Sequence, residues 1–136
     1  MKQEVILPSQ VNWLYGAGCL LSVEVFIAAF LHDRIVRPYV GDLLAVIFLY
    51  CLVRSVAEVP ARPAILAVLV VAYVIEISQY FHLTTHLGVG HSRVALLVLG
   101  SHFSWVDMGM YTLGALGLVG LEQVLAARRG PRLVRR

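Results

Sequence analysis

Four apolar runs, at about 11–31, 39–57, 64–82 and 105–126, constrain this chain more than any other feature. Each is close to the ~20 residues an α-helix needs to cross the hydrocarbon core of a bilayer. A lipid-exposed run can satisfy its backbone N–H and C=O groups only within a helix or a closed barrel, and runs this long and continuous read as helices. Composition agrees, since 60% of the 136 residues are hydrophobic and only 14% are charged. The mean hydropathy of +0.82 is far from that of water-soluble domains. The expected fold is an all-α integral membrane protein, a four-transmembrane-helix bundle forming one domain over 1–127, with a basic tail at 128–136. The first run has no cleavage signal and is expected to remain as an anchor.

Prolines mark the joints. Pro38 suits the first turn of the second helix, and Pro60 and Pro63 bracket a short link that makes helices two and three an antiparallel hairpin. Arg54 is expected to snorkel toward the head groups at the end of the second helix. The stretch 94–99 is too short to span and reads as a re-entrant or interfacial segment between helices three and four. Cys19 and Cys51 lie inside apolar runs, without a paired motif, and are expected to be buried free thiols.

The basic residues orient the bundle. With four spans, one side carries Lys2, Arg54, Arg62, Arg128, Arg129, Arg132, Arg135 and Arg136, and the other only Arg34, Arg37 and Arg93. Short basic flanks stay in the cytoplasm, so both termini are expected there, in a multi-pass protein of the bacterial inner membrane. The arginine-rich tail reads as a topology signal attracted to anionic lipid. Nucleic acid is not an expected partner, because no groove-reading or base-stacking element accompanies the charge.

That orientation collects the costly polar residues at the outer end. The first loop holds His32, Asp33, Arg34, Arg37 and Asp42. The third helix arrives with Glu76, Gln79, Tyr80 and His82, and the last connection adds His86, His91, Arg93, Ser101, His102, Ser104 and Asp107. A charge at a helix centre costs on the order of 2.5–3.5 kcal/mol by insertion scales, so Glu24, Glu76 and Asp107 should point inward, toward each other or an arginine. Glu76 lies roughly 9 Å below the outer surface at 1.5 Å per residue, and Tyr73, Gln79 and Tyr80 share its face. Tyr111 follows Asp107 by one turn. A polar network that only locks helices together needs a pair or two, whereas several acids, three arginines and five histidines gather here. The excess points to a ligand pocket of Arg37, Asp42, Glu76, Gln79, Arg93, Ser104 and Asp107, with Glu24, His32, Asp33, Arg34, His91, His102 and Tyr111 as secondary candidates.

The run His32-Asp33-Arg34 through Arg37-Pro38-Tyr39-Val40-Gly41-Asp42 resembles the bacterial DUF2809 family of small membrane proteins. So do Tyr50-Cys51-Leu52-Val53-Arg54-Ser55, Glu76-Ile77-Ser78-Gln79 and Ser104-Trp105-Val106-Asp107 with Tyr111-Thr112-Leu113-Gly114. The pattern Glu76, Gln79, Arg93, Ser104, Asp107, Gly114 is also similar to VanZ-like proteins, which are associated with teicoplanin resistance, a form of antibiotic resistance. This chain has Tyr111-Thr112 where those sequences often carry Asn.

The leading expectation is a pocket for an anionic lipid-linked or cell-envelope group, such as a lipid phosphate on Arg37 and Arg93, whose planar forks suit phosphate. The glycines of the last helix, Gly109, Gly114, Gly117 and Gly120, are expected to pack it closely on its neighbours. A hydrolase or transferase acting on lipid phosphate is the enzymatic alternative, although the spacing of His91, Arg93, His102 and Asp107 does not fit a lipid phosphatase signature; phosphate release would identify it. No cofactor is expected. A metal site on His82 and His86 at i, i+4 is a further alternative that bound metal would reveal, and none is expected. Proton carriage through Glu24 and Glu76 would need an oligomeric pathway. A membrane-protein partner or a homo-oligomer would mark a structural subunit, and co-purification would reveal it.

Overall fold

A computed structural model of the chain describes residues 8–33, 35–89, 91–94 and 102–129, and every regular element among them is helical. Four helices are long and apolar enough to cross a membrane: α1 (Pro8–Phe30), α2 (Val36–Val56), α3 (Ala61–Tyr80) and α5 (Trp105–Arg129). Between the last two, α4 (Leu83–His86) is a single turn that hydropathy does not announce.

The helix ends follow from local chemistry. α2 opens at Val36, ahead of the apolar run, and α3 opens at Ala61. Pro38 and Pro63 therefore sit in first turns, where their missing N–H groups would have had no helical partner. α3 stops at Tyr80 rather than 82, because His82 adopts the left-handed conformation, with φ of 51°, and its N–H closes on Gln79 O at 3.0 Å. The chain reverses there into α4.

Among the described residues α2, α3 and α5 touch one another, whereas α1 packs on α2 alone. The shared core contains Val46 and Tyr50 of α2, Ala64, Ile65, Val68 and Ala72 of α3, and Ala115 and Leu118 of α5. Small residues set the distances, since close backbone approach stabilises helix pairs in lipid where burial of apolar surface cannot. Gly114 is the tightest point: a Cβ there would lie 3.0 Å from Leu43 O and 3.4 Å from the Val46 Cβ. Gly109, Gly117 and Gly120 face open space, so one glycine of the four expected does the close packing. With a single neighbour, α1 turns Leu14, Val25, Phe26 and Phe30 outward. Cys19 is exposed with them, against expectation, while Cys51 is buried; both are free thiols.

At the end bearing the two termini, Trp13 meets Tyr50 edge-on with ring centroids 5.4 Å apart, and the Tyr50 hydroxyl donates to Glu122 Oε1. The Arg54 guanidinium lies 5.4 Å over the Trp13 ring and donates from Nη1 to Val59 O, so it caps the α2–α3 link where snorkelling was expected. Nearer the middle, Thr112 spends its one hydroxyl hydrogen on Met108 O at 2.8 Å, so Tyr73 must be the donor in the Tyr73–Thr112 bond joining α3 to α5. Tyr73→Phe should therefore lower stability by about 0.6 kcal/mol, the mean for side-chain bonds between membrane helices. Unfolding in mixed micelles measures it, and a loss above about 2 kcal/mol would show that the ring, not the hydroxyl, holds the helices.

Candidate functional site

The start of α5 organises the opposite end. Ser104 precedes the helix and its Oγ accepts the Asp107 N–H at 3.3 Å, the role of an N-cap hydroxyl. In a capping box the acid three residues on would return to the Ser N–H. Here that N–H goes instead to Glu76 Oε1 on α3, at 2.7 Å. The substitution has two results. Glu76, only 1% exposed, is anchored by a donor that cannot leave it, and the Asp107 carboxyl is released from capping.

Asp107 turns toward α2, where its carboxyl is a close like-charged neighbour of Asp42. Tyr111, one turn further along α5, donates to Asp42 Oδ1 at 3.4 Å and also reaches the Glu76 carboxyl. Asp42, Glu76, Asp107 and Tyr111 thus converge from three helices; all but Glu76 are half-buried. The charged neighbours of Asp42 are Asp107 and Glu76, and that of Glu76 is Asp107; no basic side chain stands among them within the described residues. Chemically the cluster offers more acceptors than donors, which suits a hydrogen-bonding cation and repels a phosphate.

The other expected residues surround the cluster or stand apart from it. Arg37 is exposed in the first turn of α2, and Arg93 is exposed beyond α4. His32, His91 and His102 are exposed as well, and Gln79 is half-buried on α3. Asp33 accepts the Ile35 N–H at 3.2 Å, a local turn that leads the chain into α2. Arg34, Ser101, Lys2, residues 95–99 of the expected re-entrant stretch and the tail from 130 onward lie outside the described residues. Glu24 is not in the cluster; it lines a cavity between α1 and α3. His82 and His86 are exposed, and no group of three or more His, Cys, Asp or Glu side chains suited to a metal occurs among the described residues.

Aromatic rings mark the membrane boundary beside the cluster. Tyr80, Phe103 and Trp105 stack edge to face, with centroids 5.3 and 5.0 Å apart, and Trp105 is 76% exposed. Such rings belong at head-group level, so the acids lie just inside it. Sequence reasoning expected Tyr80 to share the buried face of Glu76; at the tip of α3 it points out to Phe103 instead. It missed the Tyr73–Thr112 and Tyr50–Glu122 bonds, for which a polar residue in each of two apolar runs was the available signal.

A family model described as "Protein of unknown function (DUF2809)" matches residues 31–115. No curated protein and no solved structure matches. The matched segment holds all four cluster residues, the whole of α2 and α3 and the shared core except Leu118, whereas all of α1 precedes it.

Proposed function

The chain belongs to the DUF2809 family of proteins of unknown function, and we propose that its acidic pocket binds the amino group of an envelope lipid or lipid-linked precursor from the outer leaflet. The phosphate of the same head group would rest on Arg37 and Arg93 at the rim. The single observation that carries this reading is the Asp42–Asp107 pair, two carboxyls brought together from different helices as like-charged neighbours. A primary ammonium brings three donors and one positive charge to these acceptors. The expected anionic group is thereby confined to the arginines, whose planar forks match phosphate, and kept off the carboxylates. The excess of basic residues near the termini supports a reading in which both termini are cytoplasmic and the pocket faces outward from a bacterial inner membrane.

Lipid retention tests it. Full-length protein equilibrated with phosphatidylethanolamine and phosphatidylglycerol should retain the amine-bearing lipid preferentially, by on the order of tenfold, since one hydrogen bond to a charged group is worth about 1.5–3 kcal/mol. Asp42→Asn should lose the preference, and Arg93→Ala should weaken both lipids alike. Equal retention of the two lipids by the wild type, read by native mass spectrometry, would overturn the proposal.

A further inference from the structure

We propose that the gap between α1 and α3 is a second binding site, separate from the head-group pocket, that takes a small lipophilic primary amine from the bilayer. Because α1 packs on α2 alone among the described residues, the space between α1 and α3 forms a cavity of about 350 Å³. Glu24 of α1 faces it together with Ala45, Phe48 and Leu49 of α2 and Ala72 and Ile75 of α3. That lining is a carboxylate set in hydrocarbon. Glu24 Oε1 is buried and has no hydrogen-bond partner. Ser22, two residues earlier on the same helix, gives its hydroxyl hydrogen to Gly18 O at 2.9 Å. Three other acids of the spans each hold a donor: Glu76 the Ser104 N–H, Asp42 the Tyr111 hydroxyl and Glu122 the Tyr50 hydroxyl.

A buried acceptor without a donor is among the least favourable groups in a folded chain, and an intramembrane carboxylate marks a functional site by default. Glu24 lies six residues before the end of α1, roughly 9 Å inward at 1.5 Å per residue, beneath the head groups. A ligand reaching it must therefore come through lipid and carry a hydrocarbon body. It must also supply a hydrogen-bond donor and a positive charge, which together specify an alkyl ammonium. The volume stands at the low end of the roughly 300–1,000 Å³ of small-molecule pockets, so a small molecule fits better than a two-chain lipid. Tyr111 also lines the cavity, but its one hydroxyl hydrogen is given to Asp42. The two sites share a wall and not their donors. Glu24 also precedes the segment matched by the family model.

Octylamine and its uncharged counterpart octanol are the probes, titrated into full-length protein in phosphatidylcholine nanodiscs with empty nanodiscs subtracted. The wild type should bind octylamine saturably and octanol at least tenfold more weakly. Glu24→Gln, nearly isosteric, should bring octylamine down to the octanol level while elution profile and far-UV circular dichroism stay unchanged. Ala45→Phe, which fills the cavity, should weaken both probes, and Asp42→Asn should leave octylamine binding intact. Equal binding of the two probes by the wild type, or undiminished octylamine binding by Glu24→Gln, overturns the proposal. Loss in Asp42→Asn alone would assign the amine to the head-group pocket and overturn the second site while leaving the first standing.

Discussion

Gly114→Leu is expected to separate α5 from α2 and to lower stability by about 1–3 kcal/mol, the range for forcing extra methylenes into a packed interface. The obstacle is backbone. A Cβ at this position would lie 3.0 Å from the Leu43 carbonyl oxygen, which cannot rotate away as a side chain could, so the helix axes must move. The displacement would also carry Asp107 and Tyr111 away from Asp42, because all three positions lie on the same α2–α5 contact. Gly117→Leu is the control, since its Cβ meets nothing within 4 Å, and replacing a helical glycine there should if anything help by up to about 1 kcal/mol. Unfolding of both variants in mixed micelles decides the matter. Equal losses at 114 and 117 would show that the close approach carries no energy.

Glu76→Ala should have an effect of similar size, about 1.5–3 kcal/mol, because it removes a charged acceptor and strands a partly buried N–H at the start of α5. Glu76→Gln, which keeps an acceptor oxygen, should lose less. The alanine variant has a further consequence specific to this arrangement. With Glu76 gone, the free Ser104 N–H is the natural target of Asp107 three residues on, so a conventional capping box can form. Asp107 would then leave Asp42, and the preference for an amine-bearing lipid would fall although neither aspartate had been changed. Hydrogen exchange reads the first part directly: amides in the first turn of α5 should exchange faster in Glu76→Ala than in Glu76→Gln. Unchanged protection there would mean that the 2.7 Å bond does not anchor the helix.

How far the site was legible differs residue by residue. The gathering of Asp42, Glu76, Ser104, Asp107 and Tyr111 at one end follows from the spans alone, because antiparallel helices of known length put each residue at a known depth. Their mutual roles did not follow. Ser104 and Asp107 were expected only as pocket residues, and only the approach of α3 shows that Glu76 takes the Ser104 N–H. Arg37 and Arg93 share the depth of the acids, yet they stand exposed while the carboxyls face one another. Depth is a one-dimensional property of the chain, whereas pairing depends on how each helix is rotated.

The amino-acid sequence by itself determined the number of long helices and their ends to within three residues, because a bilayer leaves an apolar run of ~20 residues no other way to satisfy its backbone. The tertiary structure alone decided that α1 rests on α2 only, that Gly114 and not its neighbours meets another helix, and that Glu24 faces a cavity while Glu76 is sealed beside Ser104. The reason is physical. Lipid is as apolar as the side chains it touches, so hydropathy cannot choose between faces of a membrane helix, and the choice falls to shape and hydrogen-bond partners supplied by other helices.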